Sequence, residues 1–199
     1  NHWPTNIDLI ISSPPYGSAL PYIDTYRLSN LLLFGTKRLD CDRLEKSLTG
    51  GRAITKKERE KIQEAYMLDK ESIVSSTARE AIDRIIEIHK PAKNGFRRKN
   101  TASITIRYFL QMQDAFHLMT TRSASRTRAA FVIGDTSTTS ASGIRVTIPN
   151  IKFVIEAMQH FGWVLDDQFH IEVTTEDRAH SKNSIRENDI MIFTRPTDS

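Results

Sequence analysis

Short apolar runs and amphipathic segments alternate along the chain, and this alternation predicts an α/β fold. The isoleucine-rich run Ile7–Ser12 is typical of a strand buried on both faces of a parallel sheet, and Pro14 and Pro15 force the chain out of the sheet. Further strands are predicted over residues 129–133, 164–173 and 189–194, of which the last two can pair antiparallel. Apolar positions at helical spacing predict helices over residues 23–34, 56–67, 71–89, 103–119 and 150–161.

The segments between these elements divide the chain into three parts. Residues 94–100 (NGFRRKN) are predicted to form a basic loop, and residues 136–143 a loop rich in serine and threonine. We therefore expect a first strand, loop and helix over residues 1–35, a mainly helical insertion over 36–128, and the remaining strands and helix of the sheet over 129–199.

The basic charge is concentrated in one internal segment. The 199 residues carry a net charge of +4, with an isoelectric point of about 9.2. Residues 36–100 alone hold 17 Lys+Arg against 11 Asp+Glu, so the rest of the chain is slightly acidic. A basic insertion on an otherwise acidic chain is compatible with a polyanionic partner.

Three other sequence features bear on the cellular compartment, on membrane association and on metal binding. Cys41 is the single cysteine, which excludes a disulfide within the chain and fits a reducing compartment, so we expect a cytoplasmic protein. No apolar run approaches the ~20 residues needed to span a bilayer, and no membrane partner is expected. The six histidines do not fall at metal-ligand spacings with cysteines or carboxylates, so no metal is expected.

The residues that follow the first strand carry the strongest chemical signal. Ser13-Pro14-Pro15-Tyr16 resembles motif IV of the S-adenosylmethionine-dependent DNA amino-methyltransferases, in which Asp, Asn or Ser precedes Pro-Pro and an aromatic residue directly after a core strand. Residues 22–35 are similar to the tyrosine-rich helix that follows motif IV in that family, and 129–135, 151–163 and 187–195 to its later strand, helix and strand pair. The resemblance implies a partial Rossmann-like methyltransferase sheet, from motif IV to motif VIII, with a mainly helical insertion.

The resemblance also implies a role for each residue of the loop. Ser13 Oγ and the Pro14 carbonyl would accept the two N–H groups of an exocyclic base amine, Pro15 would hold the loop, and Tyr16 would stack on the flipped base. In this family serine at the first motif position is associated with N4 of cytosine and Asp or Asn with N6 of adenine, so cytosine is favoured. The structural alternative is a Pro-Pro turn after a buried strand, with Tyr16 in ordinary packing.

The family's cofactor turn is missing from this chain. The resemblance implies S-adenosyl-L-methionine as cofactor, bound through a Phe-x-Gly-x-Gly turn, yet none of the eight glycines here forms Gly-x-Gly. We therefore expect a fragment or a split half, completed by a second chain or a missing segment that binds the cofactor. Alone, the chain is expected to bind the cofactor weakly or not at all.

Six basic residues are candidate contacts to nucleic-acid phosphates, with a solvated surface as the alternative: Arg97, Arg98, Lys99, Arg122, Arg126 and Arg128. Asp135 follows a strand on the side where α/β sheets bind ligands; it orients the base or the loop, or it caps a helix or turn. The function expected is site-specific methylation of double-stranded DNA, in restriction-modification or phage defence. The alternatives are a non-catalytic, basic DNA-binding subunit of a methyltransferase complex and an RNA amino-methyltransferase.

Overall fold

The computed structural model of the chain describes residues 4–17, 29, 32, 48–90, 96–172 and 187–197. Ser29 and Leu32 are helical, and the rest of the helix predicted over 23–34 lies outside the described residues. The strands are β1 (Ile7–Ser12), β2 (Ser123–Ile133), β3 (Thr136–Thr139), β4 (Arg145–Ile148), β5 (Val164–Glu172) and β6 (Glu187–Thr194). The helices are α1 (Lys56–Leu68), a 3-10 turn (Lys70–Ser72), α2 (Ser76–His89), α3 (Phe96–Arg122) and α4 (Asn150–His160).

Four of the strands form one mixed sheet in the order β1-β2-β6-β5. Strand β1 runs parallel to β2, with Ile10 opposite Ala129, and β6 is antiparallel to both β2 and β5. The other two strands form a separate antiparallel hairpin, with Thr136 opposite Ile148. The predicted α/β class is therefore confirmed, and so is the antiparallel pairing of the last two predicted strands.

One face of the sheet is covered by helices and forms the core. Phe131 of β2 meets Phe116 of α3 edge to face, with ring centroids 5.4 Å apart, and Phe153 of α4 lies 4.4 Å from Phe109. All four rings are fully buried. The helices of the basic segment thus share a hydrophobic core with the sheet.

The other face of the sheet remains partly open at β1. Leu9 is 59% exposed and Ile11 is 74% exposed, whereas Ile10 packs against the core. Side chains alternate between the two faces of a strand, so Leu9 and Ile11 share the face opposite Ile10. Within the described residues β1 pairs only with β2 and is an edge strand. The prediction of a strand buried on both faces is therefore wrong for these residues.

Two segments predicted as loops contain regular structure. Helix α3 begins at Phe96, so the basic loop predicted over 94–100 is helical from that residue onward. Arginine and lysine are good helix formers, which lets the helix extend past the predicted start at residue 103. Thr136–Thr139 forms a strand in place of the predicted serine- and threonine-rich loop, because its backbone pairs with Arg145–Ile148.

Strand β2 begins at Ser123, six residues before the predicted start at Ala129, so it crosses the expected boundary between residues 128 and 129. Its first part is polar but still hydrogen-bonded: the Arg126 N–H donates to the Arg195 carbonyl (3.0 Å), and the Arg195 N–H donates to the Thr127 carbonyl (2.9 Å). Among the helices that are described, none is long and apolar enough to cross a membrane.

Candidate functional site

The motif loop, Ser13-Pro14-Pro15-Tyr16, follows β1 at the edge of the sheet that is formed by the ends of the strands. The ends of three other strands lie at the same edge. Because β1 and β2 are parallel, Ser13 and Gly134 leave the sheet at the same edge. Antiparallel β6 begins there with Glu187–Asp189, and β5 ends there at Glu172, two residues after His170. This edge therefore collects polar groups from positions far apart in the sequence, as expected for ligand sites in α/β sheets.

Ser13 is fixed by a hydrogen bond to the neighbouring strand. Its side chain is exposed, and its Oγ donates to the carbonyl of Val132 at 3.0 Å. A serine hydroxyl has one hydrogen and two lone pairs. Since Val132 takes the hydrogen, the Ser13 oxygen presents lone pairs to anything that approaches from solvent. In this arrangement a further hydrogen bond at the Ser13 hydroxyl would be one that the oxygen accepts.

The rest of the motif is anchored on the protein side. Pro14 is buried and Pro15 half-buried. The Tyr16 ring is partly buried against the core, and its Oη donates to Asn188 Oδ1 on β6 at 3.1 Å. The two prolines restrict the backbone and the hydrogen bond to Asn188 restricts the ring, so these contacts limit the conformations of the loop.

Gly17 packs tightly beneath the motif. A Cβ added there would lie 2.7 Å from Cδ1 and Cε1 of the Tyr108 ring and 3.3 Å from Asn150 Oδ1. Thr136 Oγ1 donates to the Gly17 carbonyl at 3.0 Å, and Asn150 Nδ2 donates to the Gly134 carbonyl at 3.0 Å. Tyr108 and Asn150 are fully buried, so the loop rests on a rigid base supplied by α3 and α4.

Sequence reasoning did not identify Tyr108, Asn150 or Asn188 as supports of the loop. Gly17, directly after the motif, was the only available signal, because a glycine is often required where a side chain has no room. The identity of the group that approaches it depends on the tertiary fold.

Asp135 caps a helix, which is the second of the two roles that the sequence left open. Its Oδ1 accepts the backbone N–H of Ile151 at 3.0 Å, in the first turn of α4, where helix N–H groups lack partners within the helix. Desolvation of the carboxyl raises the pKa of Asp135 above its ordinary value and the nearby Asp189 adds to this, whereas the hydrogen bond from Ile151 opposes it.

A second polar cluster flanks Asn188. Asp189 is buried and accepts hydrogen bonds from Gln168 Nε2 and from His170 Nδ1, the latter at 2.9 Å. The hydrogen bond to Asp189 is the main reason why the pKa of the exposed His170 is raised above its ordinary value. Through this hydrogen bond the His170 imidazole joins β5 to β6 beside the residue that holds Tyr16.

This arrangement gives a titration that can be measured by NMR. We expect the His170 imidazole to titrate above its ordinary pKa of about 6.5, and Asp189→Asn to lower that pKa. A raised pKa in the folded state contributes stability below about pH 6.5, and this contribution is lost as the pH rises through the folded pKa. Equal His170 titrations in the two proteins would contradict the assignment.

The six candidate phosphate contacts lie at two places away from the loop. Arg97, Arg98 and Lys99 are in the first turn of α3, and Arg98 and Lys99 are exposed. Lys99 lies nine residues before Tyr108, the residue of α3 that contacts the loop, and this separation is roughly 14 Å along the helix. Arg122 ends α3, Arg126 lies near the start of β2, and Arg128 lies at the middle of that strand, roughly 17 Å from its carboxyl end. The structure does not bring either group to the motif loop.

Two solved structures resemble part of the chain. Both are crystal structures of a protein from Thermus thermophilus that is provisionally called a DNA modification methylase. The selenomethionine derivative is 13% identical, with a TM-score of 0.36, over 45% of this chain and 38% of that one. The form complexed with S-adenosyl-L-methionine is 12% identical, with a TM-score of 0.38, over 47% of this chain and 40% of that one. The match thus spans about two fifths of the solved protein.

Neither a family model nor a curated protein matches the sequence.

Proposed function

We propose that this chain is the target-amine half of a site-specific DNA methyltransferase, which transfers a methyl group from S-adenosyl-L-methionine to an exocyclic base amine. N4 of cytosine is favoured over N6 of adenine, because serine occupies the first motif position. The observation that carries the proposal is the exposed Ser13 hydroxyl, whose hydrogen is committed to Val132 at the carboxyl edge of the sheet.

The chemistry of an exocyclic amine explains why such an acceptor is useful. The lone pair of the amine is delocalised into the base, so the nitrogen is a poor nucleophile. Acceptors on both N–H groups draw the nitrogen toward a tetrahedral form with a usable lone pair. Ser13 Oγ and the Pro14 carbonyl would supply them, and because the loop is already rigid, little reorganisation is needed during the reaction. Tyr16 would stack on the extruded base.

The residues of this chain do not themselves fit the cofactor. None of its glycines forms the Gly-x-Gly turn that would bring backbone close to S-adenosyl-L-methionine. We propose that a second chain or a further segment holds the cofactor, which supplies the methyl group. Within the described residues β1 is paired on one side only and exposes Leu9 and Ile11; this supports the proposal, because an apolar edge strand is normally covered.

Double-stranded DNA is the proposed partner, and restriction-modification or phage defence in the cytoplasm is the proposed setting. Arg98 and Lys99 are exposed cations in the first turn of α3, beside Arg97, and could neutralise phosphates outside the site of chemistry. Arg122, Arg126 and Arg128 remain candidate contacts at the far end of the sheet, for DNA that extends beyond the target base.

The reaction can be tested with labelled S-adenosylmethionine, unmodified DNA and the intact assembly, including the cofactor-binding half. We expect label in N4-methylcytosine after hydrolysis to nucleosides. Tyr16→Ala should abolish transfer, whereas Tyr16→Phe keeps the ring and removes the hydroxyl that donates to Asn188, so it should retain part of the activity. Ser76→Ala, an exposed change on α2, is the matched control.

Three outcomes would contradict the proposal in different ways. Label in N6-methyladenine would keep the reaction and change the base. Label in RNA but not in DNA would indicate an RNA amino-methyltransferase. No label, with DNA binding retained and unaffected by Tyr16→Ala, would indicate a non-catalytic binding subunit.

A further inference from the structure

A cavity of about 240 Å³ lies between the three helices α1, α2 and α3, away from the motif loop. Its polar lining comes from all three: Arg59 and Gln63 of α1, His89 and the adjoining Lys90 of α2, and Lys99 of α3. Ile86 and Ala102 supply the apolar part of the wall. The cavity therefore brings together basic groups from positions 59 to 99 of the sequence.

The cationic groups around this cavity are only partly neutralised. None of the described residues that line it is acidic. Lys90 and Lys99 have no ion-pair partner within the described part of the chain. The Arg59 side chain is only 15% exposed; it donates from Nη2 to Glu60 at 3.3 Å and from Nη1 to Asn100 Oδ1 at 3.4 Å.

Glu60 is a weak counter-charge for this group of cations. Its side chain is 56% exposed, and Lys56 approaches the same carboxylate oxygen at 3.9 Å. Solvent at the exposed Glu60 carboxylate screens its attraction to Arg59, so this pair contributes little free energy. A guanidinium has five N–H donors, and the contacts with Glu60 and Asn100 use two of those of Arg59, so this side chain can still donate to a second anion.

His89 adds a polar group at the wall of the cavity. It is buried, and its Nε2 lies 3.3 Å from Thr138 Oγ1. Desolvation, with the positive charge of Arg98 as a second cause, lowers the pKa of His89 below its ordinary value. Burial therefore disfavours the charged imidazole, and Arg98 adds a positive charge nearby.

We propose that this cavity is a binding site for a phosphate group, held by Arg59, Lys90 and Lys99. Phosphate is the anion that fits such a set of groups, because its oxygens can accept from a guanidinium and from two ammonium groups at once. The volume admits a phosphate with attached atoms or bridging waters. The phosphate comes from a DNA backbone or from a small free molecule. The site does not depend on methyl transfer.

The test uses the full chain without cofactor and inorganic phosphate as the probe. Phosphate is titrated against chloride at constant ionic strength, while the backbone amide signals of Lys99 and Asn100 are followed by NMR. Lys90→Gln/Lys99→Gln removes two charges at the cavity. Lys57→Gln/Lys61→Gln removes two exposed charges from α1 outside the cavity and is the matched control. In a second arm, binding of a DNA duplex is measured as a function of salt.

We expect saturable phosphate binding in the wild type and the control, and at least tenfold weaker binding in Lys90→Gln/Lys99→Gln. If the phosphate belongs to DNA, the same variant should also lower the salt dependence of DNA binding by about two phosphate contacts. Lost phosphate binding with unchanged DNA binding would assign the site to a free phosphate compound. Absent phosphate binding in the wild type, or equal binding in all three proteins, would overturn the proposal.

Discussion

Ser13→Ala is expected to lower the turnover number for methyl transfer by about 100-fold, or about 2.7 kcal/mol of transition-state free energy, while DNA affinity stays near the wild-type value. The variant removes an acceptor that would act on the amine as its nitrogen becomes tetrahedral, so the loss belongs to kcat. The lost hydrogen bond to the Val132 carbonyl lies at the exposed surface, where water can replace it.

The control for this result is Ser13→Thr, which keeps a hydroxyl able to donate to Val132. It should retain much more activity than Ser13→Ala. Single-turnover kinetics with the intact assembly would separate the chemical step from binding and product release. Wild-type turnover in Ser13→Ala would exclude the acceptor role of this residue and leave the motif as a structural turn.

Gly17→Ala is expected to have the second-largest effect, because the added methyl group would meet the Tyr108 ring at 2.7 Å. Gly17 does not require a left-handed backbone, so the substitution changes only the occupied space. The Tyr108 ring is fully buried and cannot move aside freely. We expect a loss of about 1–3 kcal/mol in the free energy of unfolding, together with lower methyl transfer, because the loop must shift.

Gly143→Ala separates these two effects. Gly143 has φ near +88°, and no atom lies within 4 Å of an added Cβ, so alanine there should cost about 1 kcal/mol of backbone strain without touching the loop. Thermal unfolding and single-turnover rates should show reduced stability in both variants but reduced transfer only in Gly17→Ala. Equal transfer rates in the two variants would show that the contact with Tyr108 does not position the loop.

The sequence was informative where local pattern determines the structure. The apolar spacing and Gly162 defined α4 to within one residue, and the two prolines marked the end of β1. The exposure of Leu9 and Ile11 could not be predicted, because an isoleucine-rich run is the same in an edge strand and in a central one. Burial of such a strand depends on its neighbours in space.

In the candidate site too, some residues could be predicted from local pattern and others could not. The motif made Ser13 and Tyr16 candidate site residues, but their partners Val132 and Asn188 are 119 and 172 residues further along the chain. No local pattern connects such positions. Their pairing follows from the strand order, which brings the carboxyl end of β1 beside β2 and β6.

The separation between β1 and β2 also sets the order in which the protein can fold during synthesis. Ile10 pairs with Ala129, so 119 residues must be added before β1 meets its neighbour in the sheet. At 5–20 residues per second, this takes roughly 6–24 s. During that time the helices α1, α2 and α3 can form from local contacts, whereas β1 cannot yet pair with β2. The strand that precedes the motif loop is thus synthesised well before the strand with which it pairs. A chaperone that shields residues 7–12 during this time is expected to raise the yield of folded protein.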